Sequence, residues 1–350
     1  MPPFQFYKSI LCRLYTAVFF IIVCVGMGCR SRTSSSDLKI LNGSTLTDLE
    51  KSQYPYVGAI ISVKNGKKYG GGGTATLIAP DIILTASHVL IPDADWHLFA
   101  LVTDARKLSD SLDRSGLLNN KENFENPDSI ASGFKSVRNI RKFERLNESW
   151  SFPVNEDIAI GRLSSSLPVS SVACLPKSKL ERSVEGSILG FGMNNSNLES
   201  SGLLRKGVSR FVDYYEKIVS HVDLKKPKKN NELDRRVSYA MPKELVVRLV
   251  KDWKNESMPG FGPKYLVNSM VVVPAPDQKK QIICPGDSGG PFLVPGKSNT
   301  RIVHGIGSRS LGCKANESND VISAIYAPIF HNVKWIKSKA TEWGSSIECY

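Results

Sequence analysis

The chain has 350 residues, the length of roughly two domains. Its 41% hydrophobic and 23% charged residues exclude a disordered chain, a collagen-like fibre and a multi-span membrane protein. Lys+Arg 46 against Asp+Glu 33 gives a net charge of +13, which favours anionic surfaces but is too diffuse to single out nucleic acid as a partner.

Lys8 and Arg13 precede an apolar run over 14–25, which ends on Gly26, Gly28 and Cys29. A basic start, a short apolar core and a small-residue exit predict a signal peptide over 1–29. The protein is then exported, either secreted or held in the periplasm or at the cell surface. A retained signal anchor is the alternative, but a spanning helix needs about 20 apolar residues and this run is shorter. Cys29 raises the question of a lipid anchor, although Gly26 stands where lipoprotein boxes usually carry a leucine-like residue. Signal and lipid are the only routes to a membrane that the sequence offers. Beyond the leader remain Cys174, Cys284, Cys313 and Cys349, an even set with three possible pairings in an oxidising compartment. They lack CxxC spacing and a His-rich setting, so neither a metal nor another cofactor is expected.

From Tyr56 onward, short β-branched runs recur between Gly, Pro, Asn and Asp. They are 57–63, 76–78, 82–85, 157–160, 187–190, 301–303 and 323–326. Such runs predict strands of a barrel or sandwich. Ile329, Val333, Ile336, Ala340 and Trp343 follow at three- and four-residue intervals and predict a C-terminal helix. Two polar stretches, 103–135 and 221–257, read as solvated surface insertions; the second carries Lys225-Lys226-Pro227-Lys228-Lys229, a candidate docking patch for an acidic partner. Asn42, Asn147, Asn255 and Asn316 head Asn-x-Ser sequences, which matter only in a glycosylating host.

The sharpest signal is Gly286-Asp287-Ser288-Gly289-Gly290-Pro291. Glycines around a serine let the backbone turn tightly and bring N–H groups toward a substrate. The hydroxyl is a weak nucleophile, so a base must take its proton. Of His88, His97, His221, His304 and His331, only His88 lies in a segment of small residues, Thr85-Ala86-Ser87-His88, just past an apolar run. Asp157, at the head of Ile158-Ala159-Ile160, is the candidate acid to orient it.

These three segments, in the order His, Asp, Ser, resemble the trypsin-like serine proteases over about residues 40–345. The resemblance implies an all-β fold of two six-stranded antiparallel β-barrels, about 40–165 and 172–330, with a C-terminal α-helix. The peptidase domain is then 40–350, behind a propeptide over 30–39. His88 would be general base and acid, Asp157 would fix its tautomer, and Ser288 would attack the carbonyl. The Gly286 and Ser288 amides would form the oxyanion hole. Lys39-Ile40-Leu41-Asn42-Gly43 looks like the family's activation site: cleavage after Lys39 would free the Ile40 ammonium to insert beside Asp287.

The same resemblance pairs Cys284 with Cys313 and, for the remainder, Cys174 with Cys349. It sets Ser308 beside Asp157, on the strand along which substrate backbone pairs, and puts Arg309 where a Trp is common. Gly73 and Val89 lie where the family's bridge around the catalytic His has its cysteines. Ile282 and Ile283 would line the base of the specificity pocket, with Ser310 and Ala324 on its walls. An apolar floor implies cleavage after uncharged small or aliphatic residues in protein or peptide substrates. Such a pocket rejects Lys39, so a separate activating protease is implied. Pro285 is an unexplained departure.

A catalytically weak or inert binding protein on this fold is the alternative, since fold does not guarantee activity. An esterase is disfavoured, because the strand–elbow–helix context of a G-x-S-x-G nucleophile is missing.

Overall fold

The β-branched runs and their turn residues build fourteen strands among the described residues. The structure is a computed structural model that describes residues 43–68, 72–116, 135–148, 153–192, 202–214, 266, 268–275, 281–284, 286–311 and 323–349. The leader, Lys39, Ile40, Asn42, Pro285, Cys313, Asn316 and the whole stretch 221–257 lie outside them.

In chain order the strands are β1 (Ser44–Thr45), β2 (Val57–Lys64), β3 (Lys67–Lys68), β4 (Gly73–Ala79), β5 (Ile82–Thr85), β6 (Trp96–Ala100), β7 (Val137–Arg145) and β8 (Ala159–Leu163). Then follow β9 (Val184–Gly190), β10 (Arg205–Tyr214), β11 (Met270–Pro274), β12 (Pro291–Pro295), β13 (Arg301–Leu311) and β14 (Ser323–Pro328). The α-helices among the described residues are α1 (Asp48–Lys51), α2 (Ala105–Arg114) and α3 (Val333–Glu342).

Every barrel pairing is antiparallel. The first ring runs β2-β4-β5-β8-β7-β6 and closes through β2–β6; the second runs β9-β10-β11-β14-β13-β12 and closes through β12–β9. These are two closed six-stranded barrels, with β3 and β1 as short additions. Closure removes the exposed strand edges that an open sheet would leave. The β2–β3 hairpin turns on Asn65 and Gly66, both at positive φ (51° and 69°), the backbone that a two-residue Asn-Gly hairpin demands.

The barrel cores follow the two-residue period of strands. β2, β4 and β5 are almost wholly buried, whereas β10 alternates, with Arg205, Gly207, Ser209 and Phe211 inward. One core joins Tyr54, Leu77, Ile83, Phe99 and Ile160 to Ile336, Ala340 and Trp343 of the C-terminal region. Positions 336 and 340 share one face of α3, and Trp343 at its C-cap extends that face, which is why the helix docks there. A second core fills the other barrel with Ile188, Phe211, Met270, Phe292 and Tyr326.

The described part of the first polar stretch, 103–116, is more than a solvated insertion. Asp104 caps α2, its Oδ1 accepting from the Arg106 amide at 3.0 Å and the Lys107 amide at 3.4 Å. Leu108 and Leu112, one turn apart, bury against Ile61, Trp96, Leu98 and Val137.

Cys174 is bonded to Cys349, 175 positions away. The bond ties the tail beyond α3 to the connection between the barrels, where the Leu175 amide also donates to Cys349 O at 3.0 Å. Loop-closure entropy for a ring of that size corresponds to about 5 kcal/mol in the chain-entropy account. Cys284 is also disulfide-bonded.

Candidate active site

His88 owes its position to a change of backbone. β5 ends at Thr85, Ala86 remains extended, and a 3-10 turn over Ser87–Val89 then lifts His88 off the barrel. Two hydroxyls fix this turn: Thr85 Oγ1 donates to Thr74 O at 2.7 Å, and Ser87 Oγ donates to Ile158 O at 2.8 Å. The second bond ties the histidine turn to the segment that carries the acid.

Asp157 ends a 3-10 turn over Val154–Glu156, two residues before β8 begins at Ala159. It therefore sits in the turn feeding the strand rather than at the head of the strand itself. Its carboxylate accepts three hydrogen bonds: Oδ1 from the His88 amide at 3.2 Å, Oδ2 from His88 Nδ1 at 2.7 Å, and Oδ2 from Ser308 Oγ at 2.5 Å. Ser308 belongs to β13, so the second barrel supplies one donor to an acid held by the first.

An ionised carboxylate only accepts, so Nδ1 carries the proton and the neutral imidazole presents Nε2 as an acceptor. The Asp157 side chain is 1% exposed and that of His88 34%, so the acid is sealed while the imidazole reaches open space. Burial would lower the His88 pKa, but the charge and hydrogen bond of Asp157 outweigh it and raise the pKa above its ordinary value. Burial would raise the Asp157 pKa, but the charge and hydrogen bond of His88, together with the Ser308 bond, hold it below the usual range.

Ser288 lies in a turn seated against the same end of β5. Ser288 O accepts from the Thr74 amide at 2.8 Å, and the Gly289 amide donates to Gly307 O at 2.8 Å. Gly289 has φ +82°, and a Cβ there would collide with Thr74 O and Thr85 Oγ1 and press on the Ala86 amide. Only a glycine lets Ser288 come this close to the segment that ends in His88. Among the described residues no hydrogen bond joins Ser288 Oγ to His88. Catalytic hydrogen bonds often shorten only when substrate is bound. Gly289→Ala combines backbone strain with overpacking and is expected to lower stability by about 3 kcal/mol. It should also cut any activity at least about a hundredfold through misplacement of Ser288. Urea unfolding and steady-state kinetics check the two effects separately.

Asp287 is fully buried. Its Oδ1 accepts from the Gly192 amide at 2.7 Å and its Oδ2 from the Cys284 amide at 3.0 Å, which locks the turn from both sides. Gly286 has φ +93°. Neither the Gly286 nor the Ser288 amide donates to an acceptor among the described residues.

The four expected pocket residues fall together in the second barrel. Ile282, Ile283 and Ala324 are buried in its core, and Ser310, half-buried, pairs with Ala324 across β13 and β14. Gly73 and Val89 are neighbours: a Cβ on Gly73 would press on both Val89 methyls and approach Ser288 O.

Sequence reasoning missed the anchoring roles of Thr74, Thr85 and Ser87. Their partners are backbone groups, which every residue carries, so no motif marks them.

The trypsin family model matches residues 229–336, about a third of the chain. The matched segment takes in Asp287, Ser288 and Ser308 but stops short of His88 and Asp157. No curated protein matches the chain.

Proposed function

We propose that this chain, a member of the trypsin-like serine protease family by its two-barrel fold and its matched segment, is an exported serine endopeptidase made as a zymogen. The observation that carries the reading is the His88–Asp157 bond at 2.7 Å beside the turn that bears Ser288. Ser288 Oγ attacks the scissile carbonyl carbon while His88 Nε2 takes its proton. Asp157 stabilises the imidazolium, and the Gly286 and Ser288 amides receive the oxyanion. His88 then protonates the leaving amine, and the acyl-enzyme remains on Ser288. His88 next deprotonates a water that attacks the ester, and the acid product leaves with Ser288 restored.

Cleavage after uncharged small or aliphatic residues follows from Ile282, Ile283 and Ala324, an apolar set without a carboxylate to recruit Lys or Arg. Maturation follows from Asp287: once a trypsin-like activity has cut after Lys39, the Ile40 ammonium pairs with this buried carboxylate and holds the turn. No cofactor enters the scheme. The basic leader directs export, and no helix among the described residues is long and apolar enough to cross a membrane. The second reading, a weak or inert binding protein, draws on the missing bond between Ser288 Oγ and His88 among the described residues.

The test is hydrolysis of a peptide set by protein whose N-terminus has been sequenced as Ile40. Cleavage after Ala or Val and none after Lys or Arg is expected. Cleavage after Lys or Arg would overturn the pocket assignment, and no cleavage would leave the binding reading. Activity is also expected to depend on pH in a stated direction. The base must be neutral, and its pKa is raised, so the acid limb of kcat/KM should lie above about pH 6.5. A limb at lower pH, or none, would contradict His88 as the base.

A further inference from the structure

Arg309 follows Ser308 on β13. The face taken by Ser308 is fixed, because its hydroxyl donates to Asp157 in the interior. Arg309, the next residue, is half-buried. The pairing with β14 slips between Gly307 and Arg309, a bulge of the kind that re-aims side chains beside active sites. The guanidinium lies within electrostatic reach of His88, where its charge opposes protonation of the imidazole; Asp157 is the other charge acting there.

We propose that Arg309 is a specificity-determining residue that recruits substrates bearing Asp or Glu within four residues before the cut bond. The inference rests on the peptidase reading above. If an extended substrate lies along Ser308–Ser310, as the family resemblance implies, alternate side chains would approach Arg309, and a carboxylate there would meet a planar donor fork. Arg309 also interacts within the protein, and its guanidinium carries five donors in a planar fork. Arginine keeps its charge throughout the working pH range, so the preference is constant where the enzyme is active.

The experiment compares kcat/KM for peptides that differ by a single Asp, Asn or Lys, scanned over the second to fourth residues before one fixed cut bond. Wild type is expected to favour Asp over Asn by about fivefold at one of these positions, and to lose the preference in 0.5 M NaCl. Arg309→Gln should abolish the preference while retaining cleavage of the Asn peptide, and Arg309→Glu should favour Lys instead. If Arg309→Glu does not fold, Arg309→Gln and the salt series still decide. Equal rates for Asp and Asn in wild type, or a preference that survives in Arg309→Gln, would overturn the inference and leave the peptidase reading standing. A matured protein that cuts none of the peptides and takes no fluorophosphonate would bring down both.

Discussion

Ser288→Ala is expected to lower kcat on a peptide substrate by about a millionfold. In the proposed mechanism the substitution removes the atom that would form the covalent bond, so His88 and Asp157 would have no proton to move. What survives is binding and oxyanion stabilisation, about 10³ over the uncatalysed rate. His88→Ala should fall about as far, and the double variant no further, because the groups act as a unit. Asp157→Asn should fall by about 10⁴: the amide keeps the shape but no longer fixes Nδ1 as the proton carrier. Fold should be unaffected by Ser288→Ala, since the turn is held by Ser288 O and the glycines, not by the hydroxyl. Progress curves with a fluorogenic peptide, beside thermal melts of each variant, measure these effects.

Acidification below pH 6.5 is expected to destabilise the fold steeply, for reasons separate from catalysis. His97, on β6 opposite Ser62 of β2, is buried, its Nδ1 2.9 Å from Ser62 Oγ and its ring in an edge contact with Phe143. His304 is buried on β13. Burial pushes each down to about 4. In the unfolded chain both titrate near 6.5, so between these values the unfolded state binds more protons. Their contribution is therefore complete above about pH 6.5 and is lost as pH falls, by about 1.4 kcal/mol per unit for each histidine. Over the whole window that is about 3 kcal/mol each, against a typical total of 5–15 kcal/mol for a domain. His88, with its raised pKa, works the other way: its contribution is present at low pH and is lost as pH rises through the folded value. Asp157, with its lowered pKa, loses its own only below the ordinary carboxylate range. Urea unfolding at pH 7 and pH 4.5 checks the sum. A fall of several kcal/mol is expected, reduced in a variant carrying His97→Asn and His304→Asn. Equal stability at the two pH values would contradict the burial of these rings as neutral groups.

The parts of the fold legible in the sequence were those whose burial is written in apolar residues. The runs in β2, β4 and β5 are buried on both faces and read as continuous hydrophobic stretches. β10 is not legible, because its inward positions include Arg205, Gly207 and Ser209, so burial does not alternate with polarity. β7 is mostly charged, with Val137, Asn139 and Ile140 its buried residues. α2 hides in a polar stretch because two leucines one turn apart are enough to dock it.

The site follows the same logic. His88, Asp157 and Ser288 stand out in the sequence because each is a chemically distinctive side chain in a recognisable local setting, and the structure joins His88 to Asp157. The family resemblance led to Ser308, which lies far from Asp157 in sequence and meets it only because two barrels share the site. The seating of Ser288 on Thr74 runs through backbone atoms alone, and the tether of Ser87 to Ile158 ends on a backbone carbonyl, so neither partner is marked by residue type.

The most direct test of the shared site is to treat the matured protein with a fluorophosphonate and locate the adduct by mass spectrometry. One adduct per chain, on Ser288 and lost in His88→Ala, is the expected result. An adduct on another residue, labelling that survives His88→Ala, or none in protein that begins at Ile40 would contradict a nucleophile at Ser288 activated by His88.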